Sequence, residues 1–135
     1  MDVQKLNNQL MELITKKREL SGMSYSDSNY DELEEELHDL EDQFLSDYGK
    51  FLEEVLHDVH DEYCPDNEVL LPIAYFPSKF ELLSTGELKV ENNQGVYVDV
   101  DDYDDSETKL VLVPNPVRIL LNVGDSLQEV VWQAT

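Results

Sequence analysis

The chain has 135 residues and carries 31 Asp and Glu against nine Lys and Arg, which gives a formal net charge of -22. A surface of that sign repels nucleic-acid phosphates and anionic lipid headgroups and attracts cations and basic proteins, so we expect no direct nucleic-acid binding and no membrane binding. The only cysteine, Cys64, excludes an intrachain disulfide and a cysteine-rich zinc site.

The N-terminal segment 3–20 has the pattern of an amphipathic helix. Its apolar side chains recur at spacings of three and four, and Ser21-Gly22 ends the pattern. These apolar positions are Val3, Leu6, Leu10, Leu13, Ile14 and Leu20.

The following segment predicts a longer helix, about 30–63, which Pro65 ends. If this helix is a straight α-helix, one apolar stripe runs along it. A short helix, a tight loop and a long helix together predict an antiparallel helical hairpin over 3–63. The stripe consists of Tyr30, Leu33, Leu37, Leu40, Phe44, Tyr48, Phe51, Val55 and Val59.

After Pro65 the apolar pattern changes to the alternation that is typical of strands. The β region 68–133 is predicted to form an antiparallel sheet of about five to six strands, so the fold class is α+β and residues 1–135 form a single domain. Residues 126–129 are also compatible with the start of a short helix. The predicted strands are 80–83, 87–91, 96–100, 110–113, 117–123 and 129–133, and the apolar segment 69–76, interrupted by Pro72, suits an edge strand or a bulge.

Four potential metal ligands share one face of the predicted long helix, opposite its apolar stripe. They are Glu53, His57, His60 and Cys64, a set of groups that suits zinc or copper. Four such positions extend over about 16 Å at 1.5 Å per residue, so at most two or three neighbours converge on one ion. The pattern therefore favours a solvated polar helix face, with a divalent-cation site at His57, His60 and Cys64 as the alternative.

The densest run of acids in the β region, 99–107, is a second place for a cation. Calcium binds carboxylate oxygens of such loops, but an EF-hand requires Gly at its sixth position. Counted from Asp99, that position is Asp104, so the signature fails. The run predicts either a weak, non-selective cation site or a solvated loop.

Sequence signatures of catalysis are missing. No Gly-x-Ser-x-Gly motif occurs, all three histidines fall on the predicted long helix, and the five glycines are isolated, so no phosphate-binding loop is visible. We therefore expect no enzymatic activity and no cofactor. The N-terminus also lacks the pattern of a secretory signal and no apolar run approaches the ~20 residues of a membrane helix, which predicts a cytoplasmic protein.

The charge pattern favours a role in protein interaction. Residues 28–67 carry fifteen acidic side chains and one base, Lys50, and like charges recur at i,i+4 on the helix. We predict an accessory protein that contacts a basic protein partner through Glu32, Glu35 and Asp39. Self-association is a further possibility, because the C-terminal half of the long helix needs cover from the sheet or from a second subunit. The alternatives are a nucleic-acid-mimicking inhibitor of a DNA- or RNA-binding protein, and a metal-binding protein.

Overall fold

The computed structural model describes residues 1–135 and confirms both predicted helices. The first begins after Asp2, whose side chain accepts a hydrogen bond of 3.1 Å from the backbone N–H of Lys5 and so caps the helix. The second is one long helix in three parts, with a π-helical turn in the middle. The bounds are α1 Val3–Ser21, α2 Tyr30–Phe44, the π-helical turn Leu45–Gly49, and α3 Lys50–Tyr63.

α1 and the long helix run antiparallel. Gln9 donates a hydrogen bond of 3.2 Å to Asp47, whereas Lys16, two turns further along α1, forms an ion pair of 2.8 Å with Glu36. Later residues of α1 therefore contact earlier residues of the long helix, as they do when two helices are antiparallel. The buried face of α1 consists of Leu6, Leu10, Leu13 and Ile14.

The π-helical turn corrects the predicted apolar stripe. Val55 and Val59 are buried as predicted, but Phe51 is only half-buried. The buried face of α3 extends from these two positions toward Leu52, Leu56 and His60, which the stripe of a straight α-helix does not include. The π turn contains one residue more than an α turn, and one residue corresponds to ~100° of rotation. Because the turn absorbs that rotation, the buried face of α3 stays in line with Phe44 of α2.

The strands are antiparallel and six in number, as predicted, but they are divided between two sheets of two and four strands. Arg118 donates a hydrogen bond of 2.7 Å to the carbonyl of Leu88, and Gln128 donates one of 2.8 Å to the carbonyl of Val90. These side chains bind the second strand of the first hairpin and the residue that follows it, so the hairpin lies across the larger sheet instead of extending it. The smaller sheet contains β1 (Glu81–Leu82) and β2 (Leu88–Lys89), and the larger has the order β3 (Val96–Val98), β4 (Thr108–Val113), β5 (Arg118–Val123) and β6 (Leu127–Gln133).

Two further local predictions have definite outcomes. The segment 69–76 is not a strand: a 3-10 helix spans Pro72–Tyr75, because proline fixes φ near the helical value and has no N–H for a ladder. The C-terminal segment is the strand β6, so the short helix at 126–129 is wrong.

The larger sheet lies between two layers. On one face α3 contacts it, with the rings of Phe51 and Trp132 at 6.1 Å between centroids. On the other face lies the segment after β2, where Asn122 donates a hydrogen bond of 3.0 Å to the carbonyl of Gln94. β5 is therefore buried along its whole length. The C-terminal half of the long helix is covered by this sheet and needs no second subunit.

Candidate partner-binding surface

The surface of α2 combines dense negative charge with an absence of basic side chains. Its fifteen residues contain eight acids and no Lys or Arg. The predicted contact residues Glu32, Glu35 and Asp39 are all exposed, at successive turns of one helix. Carboxylates at i,i+4, such as Glu35 and Asp39, repel each other by roughly 0.2–0.5 kcal/mol per pair in a helix. The surface therefore offers aligned negative charge whose repulsion a cation would relieve.

The chain itself relieves little of this repulsion. The molecule has two ion pairs, Lys16 with Glu36 at 2.8 Å and Arg118 with Glu87 at 3.8 Å. The hydrogen bond from Lys16 to Glu36, together with the negative charge of Glu36, raises the pKa of Lys16 above its ordinary value. Only one acid of α2 therefore has a basic partner within the chain.

A small cleft opens where the C-terminal end of α1 meets the N-terminal end of α2. Its volume is about 260 Å³, and it combines three carboxylates with an apolar part. Such a combination suits a lysine or arginine side chain, whose methylene stem packs on apolar groups while its charged head meets carboxylates. The lining residues are Glu19, Met23, Asn29, Glu32, Leu33 and Glu36.

The contribution of α1 to this cleft was not predicted from the sequence. Glu19, near the end of α1, and Met23, just after it, look unremarkable in the sequence, because residues 1–27 carry as many bases as acids. The available signal was the hairpin itself: an antiparallel hairpin with a tight loop brings the end of its first helix beside the start of its second.

The predicted metal ligands are not on one solvent-facing side of the helix. His57 is exposed, whereas His60 is 2% exposed and Cys64 is fully buried. The face that was expected to be solvated is in part buried, because the π-helical turn rotates α3 relative to a straight helix. No three His, Cys, Asp or Glu side chains are arranged to hold a metal ion. The cation site at these residues stays a prediction.

Both ring nitrogens of His60 make hydrogen bonds inside the protein. Nδ1 lies 3.1 Å from the carbonyl of Asn67 and Nε2 lies 2.9 Å from the hydroxyl of Tyr75. The same hydroxyl accepts a hydrogen bond of 3.1 Å from the N–H of Leu70. These contacts assign the proton to Nδ1 and make the Tyr75 hydroxyl the donor to Nε2. His60 therefore joins α3 to the segment that follows it.

The acidic run 99–107 lines an open cleft of about 460 Å³ beside β3. Asn67 closes one side, accepting a hydrogen bond of 2.7 Å from the backbone N–H of Asp99. The carboxylates here are exposed and spread along a loop and a 3-10 turn. A weak cation site in this cleft stays a prediction.

The three comparisons with known proteins add no functional information. None of the helices combines the length and apolar character that crossing a bilayer requires. No protein-family model, curated protein or solved structure matches the chain.

Proposed function

We propose that this protein is a non-catalytic interaction protein that binds a basic protein partner through the acidic face of α2. The observation that carries the proposal is the set of exposed carboxylates at Glu32, Glu35 and Asp39 on a helix without Lys or Arg. Rows of like charge reduce helix stability, and a cationic partner converts this repulsion into attraction.

The cleft between α1 and α2 supports a specific mode of contact. A lysine or arginine of the partner would place its stem on Met23 and Leu33 and its head beside Glu19 and Glu32, because Glu36 is already paired with Lys16. The surrounding carboxylates would increase the association rate by long-range attraction, and this increase would diminish with salt.

The test compares two variants that lose the same charge at different places. Both are used as bait in a lysate of the source organism, and the captured basic proteins are quantified. We expect the helix variant to lose partners that the loop variant retains. Equal capture by both would contradict the proposal. The helix variant is E32Q/E35Q/D39N, and the loop variant is D101N/D102N/D104N.

The second candidate function is mimicry of nucleic acid. The eight acids of α2 lie between Asp31 and Asp42, on about 17 Å of helix at 1.5 Å per residue, or one charge per ~2 Å, against one per ~1.7 Å for duplex DNA. A mimic would displace DNA from the captured partner, because the mimic and the DNA would compete for the partner's DNA-binding surface. Capture of a partner that stays bound to DNA would favour the accessory role instead.

A further inference from the structure

The two edge strands of the larger sheet, β3 and β6, differ in how they are protected against pairing with another strand. At the β3 edge, Asn67 accepts a hydrogen bond of 2.7 Å from the outward N–H of Asp99, and the acidic run 99–107 follows directly. Bound backbone groups and clustered charge both prevent another strand from pairing there.

The β6 edge has neither protection. No backbone group of residues 128–133 forms a hydrogen bond with any element other than β5. The N–H of Gly124 bonds the carbonyl of Glu107 at 2.8 Å, and the strand register then directs the N–H and C=O of Gln128 and Val130 away from β5. β6 also contains no proline and no lysine, the residues that commonly block strand edges, and its bulge at Val131 lies after the regular stretch 127–130.

Charge is also low at this edge. Residues 108–135 contain two acids and two bases, in a chain whose net charge is -22. β6 has a single charged side chain, Glu129, and this carboxylate already accepts a hydrogen bond of 2.9 Å from the hydroxyl of Tyr103. This edge has too little negative charge to attract a basic partner. The nearly neutral edge of a second copy would meet little repulsion here.

We infer that β6 pairs antiparallel with β6 of a second copy of this chain, which joins two four-stranded sheets into one of eight strands. A two-fold axis makes the contact self-complementary and closes it at a dimer. The side chain of Val130, 56% exposed, would become covered at the junction. This inference does not depend on the acidic face of α2, because that face belongs to the helical hairpin and β6 belongs to the larger sheet.

The dimer should tighten as salt rises. Two copies of charge -22 repel each other at low ionic strength. Salt shortens the Debye length from about 30 Å at 0.01 M to about 8 Å at 0.15 M, which weakens repulsion between the remote acidic surfaces while the backbone pairing is unaffected.

Sedimentation equilibrium of the full chain tests the inference with a matched pair of variants. Val130→Lys places a charge at the junction, and Leu82→Lys makes the same charge change on β1 at a side chain that is 57% exposed. We expect the parent and Leu82→Lys to dimerise, more tightly at higher salt, and Val130→Lys to dimerise at least tenfold more weakly. A monomeric parent at all salt concentrations, or a dimer that Val130→Lys leaves intact, would overturn it.

Amide hydrogen exchange of the unmodified protein gives a second readout. In the dimer the outward amides of Gln128 and Val130 should exchange more slowly as the protein concentration increases. Exchange at these two amides that does not change while the protein dimerises would place the interface elsewhere and refute the pairing.

Discussion

Gly95 and Gly86 have left-handed backbones in different surroundings. Gly95 has φ +114° and would place a Cβ 2.8 Å from the carbonyl carbon of Leu110, whereas Gly86 has φ +89° and has no atom within 4 Å of that position. Any L-residue with positive φ costs about 1–2 kcal/mol, and forced overlap in a packed region costs typically ~1–3 kcal/mol more.

We expect Gly95→Ala to lower the free energy of unfolding by roughly 1–3 kcal/mol more than Gly86→Ala does. Urea unfolding of the parent and both variants measures this difference. Equal losses would show that the backbone at Gly95 moves away from Leu110 at no cost.

The thiol of Cys64 predicts a pH dependence of stability. Burial, followed by the charge of Asp99, raises the pKa of this thiol to about 11. In the unfolded chain a thiol titrates near ~8.5, so between these values the native state binds more protons. Stability therefore falls as pH rises from about 9 to about 11.

The control for this effect is Cys64→Ala, which removes the thiol and retains every tyrosine. The loss of unfolding free energy between about pH 8 and about pH 11 should be smaller in the variant than in the parent. The same loss in both proteins would mean that the thiol is accessible to water in the native state.

At the residue scale, the sequence predicts the exposure of a side chain correctly where neighbouring residues of the same helix determine it. The exposure of Glu32, Glu35 and Asp39 follows from the helical period alone. The prediction failed for His60, because the partner of its Nε2 is Tyr75, fifteen residues away in a segment that was expected to be a strand. No local pattern reports that contact.

At the scale of elements, the π-helical turn gives a sharp prediction. The turn absorbs one extra residue while α2 and α3 keep a common buried face. Deletion of the exposed Ser46 should convert it to an α turn and change the unfolding free energy by no more than about 1 kcal/mol.

The matched control is deletion of the exposed Asp58 in α3, which rotates one side of the helix by ~100° and exposes buried side chains such as Leu56. Thermal unfolding should show a much larger loss for this deletion. If the two deletions were equally harmful, the π turn would have a role other than absorbing a residue.

Element bounds were predicted well where the period was strong, as in both helices and in β4, β5 and the β1–β2 hairpin. The existence of two sheets was not predicted, because Arg118 and Gln128 bind the backbone of residues 88–90 from strands that lie more than 25 residues later. The π turn was missed for a similar reason: a nine-position stripe fits a straight helix almost as well as a bulged one.

At the scale of the whole molecule, charge dominates. With net charge -22 and two ion pairs, the folded state contains repulsion that expansion would relieve. We expect the melting temperature to increase with NaCl and with KCl alike, because both screen the same exposed carboxylates. A melting temperature that rises only with divalent cations would instead point to a specific cation site, such as the cleft at 99–107.

The central claim, that the acidic face of α2 binds a basic partner, is tested most directly by calorimetric titration of a lysine-rich peptide. The parent, the helix variant and the loop variant are compared at low salt. We predict that the helix variant binds about tenfold more weakly than the loop variant, which corresponds to about 1.4 kcal/mol. Equal weakening in the two variants would mean that the peptide responds only to net charge, and would contradict the claim.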